Sequence, residues 1–256
     1  MTPDGAIRVM EHEVTDPYLN LAYEEAILDV MRLSAEIPPT IRLWRNDRSV
    51  VVGRFQSVRN EVDINACEEF SVRIARRCSG GGAVYNDMGN LNWSLYLQPQ
   101  THNGGLEVKS CLQLVGSRLA ANLRKVGLDA NFASNAVFVD GRKVSGLAMY
   151  IKGNHRLLHG TLLVASDLRI LDSVLKTSYD HDSRYTRSSH VPTTNLSFEL
   201  PEQITLHSST EIVKTAILEA IGATGEIGEL TQFERELAKE KMETKYSQST
   251  WIFSIP

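Results

Sequence analysis

Ten consecutive residues, Arg76-Arg77-Cys78-Ser79-Gly80-Gly81-Gly82-Ala83-Val84-Tyr85, carry the densest chemical potential in the chain. Three adjacent glycines accept positive φ angles and put no Cβ between backbone N–H groups and a ligand, and paired arginines supply planar forks suited to phosphate or carboxylate. The stretch reads as an anion cradle or as a flexible turn flanked by surface charge, and its composition alone does not separate the two. Lys143 follows Asp140-Gly141, the strongest local hairpin signal in the sequence, so the turn sets this lysine beside a sheet. It is an exposed strand end unless the cleft beside it takes phosphate or carboxylate. His159 opens the strand-like run His159-Gly160-Thr161-Leu162-Leu163-Val164; with no second histidine at metal-ligand spacing there, it is a structural or ligand-binding group and not a metal ligand. Arg54 and Gln56, at the end of another strand, are second-rank candidates.

The composition bounds these readings. The chain has 256 residues, 42% hydrophobic and 23% charged, an ordinary globular balance that favours one domain. A net charge of −4 argues against a general nucleic-acid binder, although a local basic cleft remains compatible with a nucleotide. Cys67, Cys78 and Cys111 form no CxxC pair, which excludes a zinc knuckle and a disulfide framework and fits a reducing compartment. The amino terminus lacks a basic-then-apolar signal pattern and no apolar run reaches bilayer length, so a cytoplasmic protein without a membrane segment is expected.

The elements that must position the chemistry follow from period and punctuation. Ile7–Val14 reads as a strand, and Asp16-Pro17 caps a helix whose apolar positions Leu21, Ala22, Ala26, Ile27, Val30 and Met31 make a core face. Glu24 and Glu25 fall on its other side and are expected in solvent. Thr40–Arg45 and Ser49–Gly53 read as strands around an Asn46-Asp47 turn, residues 61–70 as a short helix and residues 72–76 as a strand. Residues 83–85 are extended and enter a hairpin through the 86–90 turn. In Leu91–Leu97 the odd positions are apolar, which leaves Asn92 and Ser94 facing a cleft or bulk water. Residues 106–126 are helical with Gly127 as C-cap, residues 168–175 form a short helix, and residues 210–221 and 231–246 are helical. Residues 178–195, with His181, Arg184, Arg187 and His190, form a long polar loop, and residues 247–256 an apolar tail able to dock.

The run from Arg76 to Asn92 resembles the signature of the lipoate-protein ligase A family, with its biotin/lipoate-protein-ligase-like catalytic domain. Ser49-Val-Val-Val-Gly-Arg-Phe-Gln56, Gly141-Arg-Lys-Val-Ser-Gly-Leu-Ala148, His159-Gly-Thr-Leu-Leu163 and Lys245-Tyr-Ser-(x3)-Trp251 occur in the family's order. The resemblance covers almost the whole chain. It implies an α+β fold, a mixed β-sheet with flanking helices, as a single domain over residues 1–256. It also implies a reaction in which ATP and lipoate give lipoyl-AMP and the acyl group passes to a lysine of a lipoyl carrier domain or glycine-cleavage H protein. Lys143 is then the catalytic cation. The ATP and lipoyl-AMP contacts fall on Arg76, Arg77, Gly80, Gly81, Gly82, Ala83, Val84, Tyr85, Asn86, Asn92, Lys143, Ser145, Gly146, Ala148, His159, Gly160 and Thr161, with Val51, Val84 and Leu147 walling an acyl slot.

Three departures from the family pattern bear on mechanism. Asn86 stands where the family has His, and Asn135-Ala136 stands where it has Asn-Asp, which removes a carboxylate expected to help hold Mg²⁺ with ATP. The chain also resembles bipartite members whose small accessory domain is a separate protein. The competing readings are transfer of lipoyl or octanoyl from a preactivated donor, and a non-catalytic lipoate- or nucleotide-binding subunit. Tyr150 lies in the region where related thioester-forming transferases carry their cysteine, so a covalent route is disfavoured.

Overall fold

Asp16 accepts the backbone N–H groups of Tyr18 and Leu19, both at 2.9 Å, and so starts the helix that covers the future site. Such a cap is worth about 1 kcal/mol. The computed structural model describes residues 6–34, 36–99, 108–176, 185–200 and 204–255. In chain order the elements are β1 (Ala6–His12), α1 (Pro17–Leu33), β2 (Thr40–Trp44), β3 (Ser49–Val52), α2 (Val58–Glu61), α3 (Ile64–Glu69), β4 (Arg73–Arg76), β5 (Val84–Asn86) and β6 (Asn90–Leu97). There follow α4 (Val108–Lys125), β7 (Ala130–Ala133), β8 (Ala136–Val139), β9 (Arg142–Lys152), β10 (His155–Leu163), α5 (Leu168–Val174), α6 (Leu196–Glu199), α7 (Leu206–Ile221), β11 (Thr224–Ile227) and α8 (Gln232–Lys241). A π-helical turn (Met242–Tyr246) then leads to α9 (Ser249–Ile252).

The strands form a mixed eight-stranded sheet in the order β11-β1-β2-β6-β10-β9-β8-β7, and a three-stranded sheet in the order β4-β3-β5. Helices α4 and α7 pack on one face of the large sheet, where Leu91, Trp93, Leu95 and Leu97 of β6 meet Leu119, Val213 and Ile217. Helix α1 covers the other face, with Ala26, Ile27 and Met31 against Trp44, Tyr96 and Leu157. The expected mixed sheet with flanking helices is therefore the observed one.

Two local expectations change. The Asn46-Asp47 turn does not join neighbouring strands of one sheet, because β2 pairs with β1 and β6 while β3 pairs with β4 and β5. Likewise β5 and β6 do not form a hairpin. The all-apolar Val50-Val51-Val52 run is buried on both faces, in the smaller sheet between β4 and β5. Strands β7 and β11 carry no strong sequence signal and were legible only from pairing.

The acidic pair on α1 is not in solvent. Glu24 and Glu25 are 1% and 5% exposed. Glu25 accepts bonds from Lys245 Nζ at 2.6 Å and Tyr246 Oη at 2.8 Å, which ties the π-helical turn to α1. Burial alone raises its carboxyl; the Lys245 hydrogen bond and charge, then the Lys241 charge and the Tyr246 hydroxyl, outweigh that and hold it at about 2. A depressed carboxyl contributes stability that is present above its unfolded value of 4.5 and is lost as pH falls through about 2. Urea unfolding of the wild type is expected to lose about 3 kcal/mol more than Glu25→Gln across that window. Equal pH slopes for the two proteins would contradict this assignment.

Candidate active site

The glycine stretch is a loop sewn together by Arg77. Its guanidinium donates from Nη2 to the carbonyls of Gly80 at 2.6 Å and Gly82 at 2.9 Å, from Nη1 to Val51 O at 3.1 Å, and from Nε to Ser79 Oγ at 3.0 Å. Because C=O and N–H point oppositely across a planar peptide, holding those carbonyls turns the N–H groups of Gly81 and Ala83 away from the guanidinium. That of Ala83 meets Ser188 Oγ at 2.9 Å on the cavity wall. Gly81 sits at φ 90°, a conformation strained for other residues. A Cβ on Gly53 would lie 2.1 Å from Gly81 O, so the end of β3 and the loop touch through backbone.

Arg76, expected beside Arg77 as an anion ligand, is placed elsewhere. Its side chain points from β4 into the protein and donates to the carbonyls of Gly53, Arg54, Gln56, Trp251 and Ile252. Alternation along a strand sends adjacent side chains to opposite faces, so only one arginine of the pair can face the cavity. Trp251 returns a bond from Nε1 to Arg76 O at 2.9 Å, and the Arg54 and Lys245 cations lie 4.6 and 4.2 Å from its ring. The apolar tail thus docks against the back of the loop. Gly80 also lies outside the cavity lining, its carbonyl bound to Arg77.

Lys143 stands at the start of β9, set there by the tight turn at Asp140 (φ 47°) and Gly141 (φ 73°) and by an irregularity in the β8–β9 register. Its backbone is held by Pro192 O at 2.8 Å and Thr194 N at 3.1 Å. Burial, and then the Arg77 charge, lower its pKa, and among the described residues no carboxylate pairs with it. An ammonium so placed favours an incoming anion.

Two cavities meet at this lysine. The first, about 340 Å³, is lined by Gly81, Gly82, Ala83, Val84, Asn86, Asn92, Lys143, Gly146, Ala148, His159, Gly160 and Thr161, with Trp44, Val51 and Leu147 supplying apolar wall. The second, about 530 Å³, shares Ala83, Val84, Lys143, Gly146 and Thr161 and adds Tyr85, Ser145 and the leucines 163, 168, 171 and 175. Every expected contact residue except Arg76 and Gly80 therefore lines one or both.

Ser94, expected at the cleft, lies under α1 and donates to Glu24 at 2.7 Å. Sequence reasoning missed Glu24, Trp44, Phe138 and the 186–191 segment as lining, since nothing local distinguishes them from core or loop. In that segment Arg187 pairs with Glu61 at 2.7 Å, and Ser188 bonds Gln56 Nε2 at 3.0 Å. His181 and Arg184 lie outside the described residues.

Cys78 is buried, and burial followed by the Glu24 and Glu25 charges pushes its thiol up to about 12. A thiol so unwilling to ionise is no nucleophile. Cys78→Ser is expected to stay within about threefold of wild-type acyl transfer, and loss of activity in a folded variant would revive covalent chemistry.

Among the described residues, the carboxylates that line the cavities are Glu24 in the first and Glu61 and Asp172 in the second. No group of three or more His, Cys, Asp or Glu converges among the described residues. Ala136 lines the first cavity where the family pattern has a carboxylate, and Glu24 is committed to His159 and Ser94. Among the described residues no helix is long and apolar enough to cross a membrane.

Residues 16–220 match the family described as the lipoyl protein ligase A/B catalytic domain. A lipoate-protein ligase A from Psychrobacter cryohalolentis is 32% identical over 94% of this chain and 69% of its own length. Lipoate-protein ligase A subunit 1 from Thermoplasma acidophilum is 29% identical over 93% of this chain and 92% of its own. Among solved structures, a bi-partite lipoate protein ligase described with its E2 lipoyl domain, also from T. acidophilum, superposes at a TM-score of 0.82 with 26% identity, covering 98% of this chain and 97% of that one. A lipoate-protein ligase A bound with ATP superposes at 0.83 with 25% identity, covering 99% and 100%. A T. acidophilum chain with bound lipoic acid does so at 0.79 with 25% identity, covering 98% and 100%.

Proposed function

The chain belongs to the lipoyl protein ligase A/B catalytic domain family and is a lipoate-protein ligase, and from that premise we propose how its residues divide the work. The observation that carries the reading is the Lys143 ammonium at the junction of two cavities, facing a loop whose Gly81 and Ala83 N–H groups are turned outward. The first cavity takes the acyl chain along Trp44, Val51 and Leu147. The second takes the nucleoside, its leucines against the base and Ser145 Oγ, buried and without a partner among the described residues, available to it. The α-phosphate and the lipoate carboxylate then meet at Lys143.

In the activation step a lipoate oxygen attacks the α-phosphorus and pyrophosphate leaves. The Lys143 charge and the Gly81 N–H stabilise the negative charge that gathers there, the Ala83 N–H being bonded to Ser188 Oγ. In the transfer step a neutral lysine amine of the carrier attacks the acyl carbon and AMP leaves, with the same groups holding the departing phosphate. The carrier is a lipoyl domain, in keeping with the E2 lipoyl domain of the bi-partite relative, and the glycine-cleavage H protein is the second acceptor to test. The free, buried cysteines support a reducing compartment such as the cytoplasm. Residues 1–256 act as a single catalytic unit that works with a separate accessory protein.

One observation favours a second reading. Ala136 and the absence of an uncommitted carboxylate among the described residues of the first cavity favour a chain that performs transfer but not unaided activation. Carrier lipoylation is measured in parallel with ATP plus lipoate and with preformed lipoyl-adenylate, each with and without the accessory protein. Product from both donors supports the full ligase, product from adenylate alone supports the transferase, and no product in any arm overturns both.

A further inference from the structure

Four side chains from three parts of the chain form one hydrogen-bonded line, with Glu24, Arg77 and His159 on the wall of the first cavity and Ser79 between Arg77 and His159. Arg77 Nε lies 3.0 Å from Ser79 Oγ, Ser79 Oγ lies 2.7 Å from His159 Nε2, and His159 Nδ1 lies 2.7 Å from Glu24 Oε1. All four are buried, with exposures of 6%, 1%, 8% and 1%. Their polarity follows from the two ends. Arg77 can only donate and ionised Glu24 can only accept. Ser94 Oγ donates to the same Glu24 oxygen at 2.7 Å, which fixes that end of the line as an acceptor.

In a neutral imidazole, Nδ1 must then carry the hydrogen. The other tautomer would press a bare nitrogen against a carboxylate oxygen at 2.7 Å. Nε2 is left as the acceptor of the Ser79 hydroxyl hydrogen, and the serine lone pairs face Arg77 Nε. Each hydrogen in the line points toward Glu24.

We propose that Glu24 and His159 are positioning residues for the anion loop, acting through Ser79 to hold the Arg77 guanidinium at the angle that grips the Gly80 and Gly82 carbonyls. This inference rests on the reading of that loop as the acyl-adenylate cradle. A charged neighbour alone would leave the guanidinium free to turn. The serine oxygen fixes Nε, and a planar fork fixed at Nε has its remaining donors fixed too. Glu24 sits at the far end of the line as its only carboxylate. Its replacement by glutamine keeps the shape but removes the acceptor-only end, because the amide can accept from Nδ1–H or donate to a bare Nδ1, so the line is no longer held in one direction.

The test reads tautomer and affinity separately. Nitrogen-15 spectra of the imidazole, with the His159 signals assigned by their absence in His159→Gln, are expected to show Nδ1 protonated and Nε2 bare in the wild type, and a share of the opposite tautomer in Glu24→Gln. Calorimetry with a non-reactive sulfamoyl analogue of lipoyl-adenylate is expected to show about tenfold weaker binding for Glu24→Gln and for Ser79→Ala. The double variant is expected to bind no more weakly than the worse single one, because both cut the same line. Transfer from lipoyl-adenylate to a lipoyl domain should show a raised KM with kcat within about threefold, since Lys143 is untouched.

A wild-type imidazole protonated at Nε2 alone, single variants within about twofold of wild type, or losses that multiply in the double variant would each overturn the proposal. If Glu24→Gln does not fold, Ser79→Ala carries the affinity arm. If the wild type fails to bind the analogue, the ligase reading falls, while the spectra still decide the line.

Discussion

Lys143→Ala is expected to lower carrier lipoylation by about 100- to 1,000-fold, the range for removing one preorganised charge from developing negative charge. The loss should appear with ATP plus lipoate and with preformed lipoyl-adenylate, because the same ammonium serves the phosphate on its way in and on its way out. The fold should survive. The backbone at this position is pinned by Pro192 and Thr194 and not by the side chain, and removing a half-buried cation with no carboxylate partner among the described residues relieves desolvation. Unfolding midpoints for the two proteins are therefore expected to agree within a few degrees, which separates lost catalysis from lost structure. A variant that keeps more than a tenth of wild-type turnover with either donor would remove Lys143 from the centre of the mechanism.

Arg77→Lys is the second large effect, and it is aimed at geometry because the charge is retained. A lysine reaches one of the three carbonyls that Arg77 holds and leaves the others, together with Ser79 Oγ, short of a donor. Each buried acceptor so abandoned costs about 1–3 kcal/mol, so a total near 3 kcal/mol is expected after the loop relaxes. Relaxation is also what harms function, since the Gly81 and Ala83 N–H groups are aimed only while their carbonyls are held. The ratio kcat/KM should fall about 100-fold, mostly through weaker adenylate binding. Denaturant titration and calorimetry measure the two parts. Wild-type affinity in a destabilised variant would mean that the glycines hold their shape unaided.

The second arginine of the pair shows how far a motif can be read. Both residues suit a phosphate by type. Strand alternation dictates that Arg76 and Arg77 part company, yet which of them faces the cavity depends on what lies behind β4. Behind it are the Trp251 and Ile252 carbonyls, 175 and 176 residues away in the chain. The tail was legible as apolar and able to dock. Its partner was not, because the contact is made through backbone oxygens that every residue possesses.

The acidic pair on α1 is the clearest reversal. Period placed Glu24 and Glu25 away from the apolar stripe, and a helix packed on one side leaves such positions wet. Here α1 is packed on more than one side, against the sheet and against α8 with its π-helical turn, so the polar flank is enclosed as well. Carboxylates tolerate that only with partners, and the partners come from β6, β10 and residues 241–246.

By itself the sequence determined the strands and helices with strong period, the tight turn that presents Lys143, and the three-glycine loop that can present backbone N–H groups. These are local matters: a glycine's freedom, a turn's preference and an alternation are properties of neighbours in the chain. Tertiary structure alone decided that β3 leaves the large sheet, that Arg77 holds the loop while Arg76 anchors the tail, that two cavities meet at Lys143, and that Glu24 lies in line with His159 and Ser79. Apart from the bonds Arg77 makes within its own loop, these depend on groups far apart in the chain, such as Glu24 and His159 at 135 residues and Arg76 and Ile252 at 176, where a hydrogen bond is satisfied by whichever partner packing delivers.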